Sequence, residues 1–169
     1  MNDIVICFIG SQQNAANNLA DALRELHLNV EVAPAARGTS TGRALISLWS
    51  RDVDKHPKMA EWMTWAMAGN ALAIVAMNRC PKRLPPPFSL QIVNDLRGWK
   101  GKSDHGEWQS LLTRLGQILG RPGLSTYARL NAIDDKDERT RQLRAWAAKF
   151  DSDPLVPVVL ASLIKGPEK

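Results

Sequence analysis

The chain is poor in the features that would place it in a specialised class. It has two cysteines and three histidines in 169 residues. Cys7 falls in an apolar run and Cys80 beside a proline, so two reduced thiols are expected rather than a disulfide framework. His27, His56 and His105 stand at no ligand-like spacing to one another or to either cysteine, and no metal site is expected. No stretch approaches the roughly 18 consecutive apolar residues of a membrane span. The opening "MNDIVICFIG" has neither the basic start nor the small-residue cleavage site of a secretory signal, so a cytoplasmic chain without a membrane partner is expected. Tyrosine occurs once and phenylalanine three times against six tryptophans, so the large anchors of any core or interface are mostly indoles.

What is present suits one globular core: 44% of residues are apolar and 23% charged. The net charge of +5 is unevenly placed. Arg79, Lys82, Arg83, Arg97, Lys100 and Lys102 crowd one stretch whose only acid is Asp95. That stretch surrounds a proline-rich loop with no interleaved aromatic platform, so a solvated loop is expected and nucleic acid is not expected as a partner.

Along the chain, strand and helix patterns alternate. "DIVICFI" is a short apolar run with β-branched residues, and "NAANNLADALRELHL" follows with Ala16, Leu19, Leu23 and Leu26 on one helical face. "NVEVA" and "RALISLW" read as strands, "KMAEWMTWAMAGN" as a helix closed by Gly69 in the left-handed conformation, and "ALAIVAM" as a fourth strand. "NRCPKRLPPPF" cannot be regular, because its prolines lack donors, and "SLQIVND" reads as a fifth, edge-like strand. This alternation predicts a five-stranded parallel sheet covered on both faces, with ligands at the carboxyl ends of the strands. Between Val32 and Ala44 lie only the eleven residues "APAARGTSTGR", too few for a crossover helix with its turns. Either that crossover is a shortened, non-helical one or the two strands are not simple neighbours. Beyond the amphipathic "EWQSLLTRLGQILG" the pattern becomes helical, in "RTRQLRAWAAKF" and in "PLVPVVLASLIK".

The "WS" that ends the third strand, and the segment "LPPPFSLQIVNDLRGWKG" leading into "LLTRLGQILGRPGL", together resemble a bacterial Toll/interleukin-1 receptor (TIR) domain over about residues 3 to 124. The resemblance implies a flavodoxin-like sheet over 1–124, to which 125–169 adds a helical C-terminal extension. It also implies homotypic assembly and, in many bacterial members, cleavage of the nicotinamide glycosidic bond of NAD. That reaction leaves an oxocarbenium-like ribose, which a carboxylate nearby stabilises. In active members a glutamate on the helix after the third strand does this. Carried over from Ser50 without gaps, its slot falls on Trp62, with Met59 three residues before and Ala66 four after. Glu61 is one position early, and one residue is about 100° around a helix. The turn after the first strand, "IGSQQNA", lacks the acid that commonly follows the family's serines, and residues 33–43 form a much shortened loop.

Two readings follow. In the first, the chain is a TIR-like interaction and signalling domain without catalytic activity or cofactor, in a bacterial signalling or defence system. Its partners are other TIR-like domains or itself, through the helix bearing Trp62 and Trp65, since one narrow stripe cannot bury both indoles. In the second, the chain is an NAD glycohydrolase, converting NAD as substrate to ADP-ribose and nicotinamide, with Glu61 as a displaced catalytic acid. A nucleotide-binding sensor without hydrolysis is a third possibility. Ser11, Arg37, Ser50 and Trp62 are the candidate ligand contacts.

Overall fold

The computed structural model describes residues 2–35, 42–49, 56–77, 84 and 86–164. Strand β1 (Asn2–Phe8) leads through a 3-10 turn (Gly10–Gln12) into α1 (Gln13–Arg24), and β2 (Val30–Pro34) and β3 (Gly42–Leu48) follow. Next come α2 (Pro57–Ala68), β4 (Leu72–Ala76) and the short β5 (Val93–Asp95). The chain ends in four helices: α3 (Gly106–Leu119), α4 (Leu124–Asn131), α5 (Lys136–Lys149) and α6 (Val156–Ile164).

The five strands form one parallel sheet in the order β2-β1-β3-β4-β5, the flavodoxin-like arrangement. β2 and β3 are therefore not neighbours; both pair with β1, through Ile4–Val30 on one side and Ile4–Ala44 on the other. The expected loop-like crossover between them falls on residues 36–41, outside the described residues.

Alternation along the strands sorts the core into two layers. Ile4, Ile6 and Phe8 of β1, Ala44, Ile46 and Leu48 of β3, and Ala73 and Val75 of β4 face α1 and α3. Val5, Cys7 and Ile9, Leu45 and Trp49, and Leu72 and Ile74 face α2. The strands are apolar on both sides because both sides are covered, which is why their sequences read as continuous runs. α1 turns Ala16, Leu19, Ala20 and Leu23 onto the first layer. α2 is held to the second by Met59, Trp62, Met63 and Ala66, the i, i+3, i+4, i+7 set of one helical face.

The C-terminal helices share the first layer's core. Leu124, Tyr127, Leu143, Trp146 and Val159 are buried in the same cluster as Leu111, Leu115 and Leu119 of α3. Trp146 Nε1 donates to the Gly123 carbonyl at 2.9 Å, and a buried ion pair joins Arg121 Nε to Asp153 Oδ2 at 3.2 Å. The turn after α3 is thereby tied to the turn before α6. Among the described residues no helix is long and apolar enough to cross a membrane.

Four local expectations need correction. Gly69 has φ −86°, and the left-handed residue is its neighbour Asn70 at φ 54°; asparagine tolerates that region, and the helix closes with Ala71 N donating to Ala66 O at 2.8 Å. The strand expected over 89–95 shrinks to Val93–Asp95, with Leu90 and Ile92 fully out in solvent. α5 starts at Lys136, three residues before the expected stretch, because Asp135 caps it by accepting from Glu138 N at 2.8 Å. α4 was not anticipated: its eight residues follow a Gly-Pro-rich stop and carry few apolar positions.

Candidate functional site

In this strand order the chain leaves β1 toward β2 on one side and returns to β3 on the other, so the carboxyl ends of β1 and β3 border the crevice where ligands bind in such sheets. Gly10, at φ 59°, turns the chain out of β1, and Ser11 stands exposed on the rim. Gln12 folds inward and is only 3% exposed. Its Nε2 donates to the Trp49 carbonyl at 3.4 Å, joining the end of β1 to the end of β3, while its Oε1 is buried with no partner.

Trp49 is buried as well. Its amide donates to Val75 O at 2.8 Å, and its indole Nε1 has no acceptor among the described residues. Among the described residues these are two buried groups without partners, one acceptor at the end of β1 and one donor in the layer under α2, each carrying a desolvation cost of about 1–3 kcal/mol while unmet. α1 continues directly from the 3-10 turn, with no side-chain cap and no acid in its first turn. Below, Ser47 Oγ donates to Met59 Sδ at 3.3 Å and is sealed from solvent.

Of the anticipated residues that are described, Ser11, Glu61 and Trp62, only Ser11 lies at the crevice. Ser11 is on the crevice rim. Ser50 and Arg37 lie outside the described residues. Glu61 projects from the outer side of α2, its side chain 68% exposed and its carboxylate 3.6 Å from Lys58 Nζ. Trp62, one residue on, is 4% exposed and packs with Val5, Leu45 and Ile74 under α2. Because α2 runs back from the carboxyl ends of the strands toward their amino ends, Trp62 lies partway down the sheet. It lines a hollow at the amino ends with Trp65, Ala66 and Gly69.

Charge is sparse around these features. Asp95, at the end of β5, is bound by Arg97 through Nε at 2.8 Å and Nη2 at 2.6 Å, and that hydrogen bonding holds its carboxyl below the usual range. It acts as a fixed carboxylate beside its own guanidinium. A second hollow of about 460 Å³ lies between β5 and α3, but the guanidinium on its wall, Arg114, is engaged by Asn70 Oδ1 at 3.1 Å. Among the described residues no cluster of His, Cys, Asp or Glu could hold a metal ion.

Gln12 was missed in the sequence because its role depends on Trp49, 37 residues away; the only local signal was its place in the turn between β1 and α1. The Arg121–Asp153 pair joins residues 32 apart in the chain, and nothing local to "GRPG" marks it. Compared with known proteins, the chain matches no family model, no curated protein and no solved structure.

Proposed function

We propose that the chain is a TIR-like protein-interaction domain of a bacterial signalling or defence system and does not cleave NAD. The observation that carries this reading is the register of α2. By the resemblance the slot of the catalytic carboxylate falls on Trp62, which is held against the sheet below the crevice, while Glu61 faces solvent and Lys58. A carboxylate in water beside an ammonium is a weak stabiliser of an oxocarbenium ion, and the loss of one well-placed group costs on the order of 100- to 1000-fold in rate. Glu61 is the only acid on α2, so no neighbour on that helix replaces it.

The test is nicotinamide release from NAD by concentrated protein, wild type beside Glu61→Gln. Neither should release nicotinamide above the buffer rate. Turnover by wild type that disappears in Glu61→Gln would restore the glycohydrolase reading.

A further inference from the structure

We infer that the hollow between β5 and α3 binds a small amphipathic monocarboxylate, with its carboxylate on Arg114 and its alkyl chain along Leu72, Leu90 and Ile92. The site is independent of the interaction reading above. It follows from unequal strand lengths. Pairing of β4 with β5 begins at Ile74–Val93, whereas Leu72 of β4 already pairs with Leu45 of β3. Among the described residues Leu72 and Ala73 therefore have no strand partner on the β5 side. The gap, walled by α3, is a hollow of about 460 Å³ at the amino end of β4, away from the crevice.

The lining has an apolar side and a charged one. Leu90 and Ile92 stand 93% and 80% exposed on one wall, where an alkyl chain would shield them from water. Each buried methylene tightens such a contact by about fourfold. On the α3 wall the half-buried Arg114 is, among the described residues, the one charged group of the lining. Both of its bonds, to Asn70 Oδ1 at 3.1 Å and to the Leu72 carbonyl at 3.4 Å, are made by Nη2 and go to neutral acceptors. Among the described residues Nε and Nη1 are left unclaimed, so the guanidinium is anchored yet without a counterion. A fixed cation beside apolar walls is complementary to one negative charge with an apolar tail, and charge-assisted hydrogen bonds are about twice as strong as neutral ones. A phosphate ester would bring a second charge that no cation of the lining meets. An added peptide strand fits less well, since β5 has three residues and its Asp95 N–H is already held by Glu107 Oε2 at 3.2 Å.

The experiment is titration of the full chain with sodium octanoate below its micellar range, followed in proton–nitrogen NMR spectra that include the arginine Nε–H signals. Acetate, which keeps the charge, and 1-octanol, which keeps the chain, are titrated in parallel. Octanoate should bind saturably with a Kd of about 1 mM or tighter, moving the Arg114 Nε–H signal together with the amides of 90–94 and 110–117. Acetate and octanol should each bind at least about tenfold more weakly. Arg114→Gln removes the charge. Ser110→Glu, at an exposed position one turn before Arg114, supplies a competing carboxylate through a favourable helical pair. Each variant should weaken octanoate by about tenfold or more while the remaining amide signals stay in place; should Arg114→Gln fail to fold, Ser110→Glu decides. Absence of saturable octanoate binding, octanol binding as tightly as octanoate, or octanoate binding unmoved by Ser110→Glu would each overturn the proposal.

Discussion

At the scale of single residues, a few buried polar atoms carry more information than the many apolar ones. Cys7 is a simple case: it lies in β1, an interior strand of the sheet, with no exposed surface, and burial pushes its thiol up to about 12 from an ordinary value of 9.0. The unfolded chain releases that proton near 9 and the folded chain only near 12. Cys7 therefore contributes its full stabilisation below about 9 and loses it as pH rises toward 12. Comparing wild type with Cys7→Ala by urea unfolding cancels every other titrating group. The stability advantage of wild type should be constant up to pH 9 and shrink steadily above it. An advantage that does not change with pH would show that the thiol is not sealed from water.

At the scale of elements, the junctions between helices are more tightly specified than the helices. An alanine favours helix over glycine by about 1 kcal/mol, yet a Cβ at Gly116, inside α3, would meet the Arg121 carbonyl oxygen at 2.5 Å. The same turn holds Arg121, whose Nε bonds Asp153 while its Nη2 is buried and unmet. Asp153 also accepts from Leu155 N at 2.9 Å, so one carboxylate both sets the start of α6 and neutralises the guanidinium. Asp153→Asn keeps an acceptor for Leu155 but leaves the buried charge of Arg121 without its counterion. It should lower the free energy of unfolding by about 3–5 kcal/mol, read as an earlier urea midpoint at unchanged slope. A loss below about 1 kcal/mol, the size of a surface pair, would mean that the junction is wet.

What could be read in advance divides along the same line. β1, β3 and β4 were legible because strands covered on both faces must be apolar throughout, and α1 and α2 because their stripes recur at helical spacing. α4 was not, since Leu124, Tyr127 and Ala128 are buried only where α4 packs between α3 and α5. β5 was overestimated because Leu90 and Ile92 share its apolar look and yet neither is buried. Of the site, the register of α2 could be worked out by counting from Ser50, whereas the link from Gln12 to Trp49 arises only when the ends of two strands are brought together by the sheet.

At the scale of the whole molecule, the sheet's two faces are unequal. One is covered by α1 and α3, and the C-terminal helices enlarge that same core. The other carries α2 alone among the described helices, so the division of α2 into an inward and an outward side decides what that face can do. With Trp62 inward and Glu61 outward, α2 turns no carboxylate toward the sheet, and Trp65 stands in solvent. A shift of one residue would bring Glu61 to the place of Trp62 and turn Trp65 inward to the place of Ala66. Hydroxyl-radical footprinting of dilute native protein, with oxidation of neighbouring tryptophans separated by tandem mass spectrometry, reads this register directly and needs no substitution. The account predicts fast oxidation of Trp65, 69% exposed, and strong protection of Trp62, 4% exposed, until the protein is unfolded. Equal rates for the two, or protection of Trp65 with Trp62 open, would contradict it.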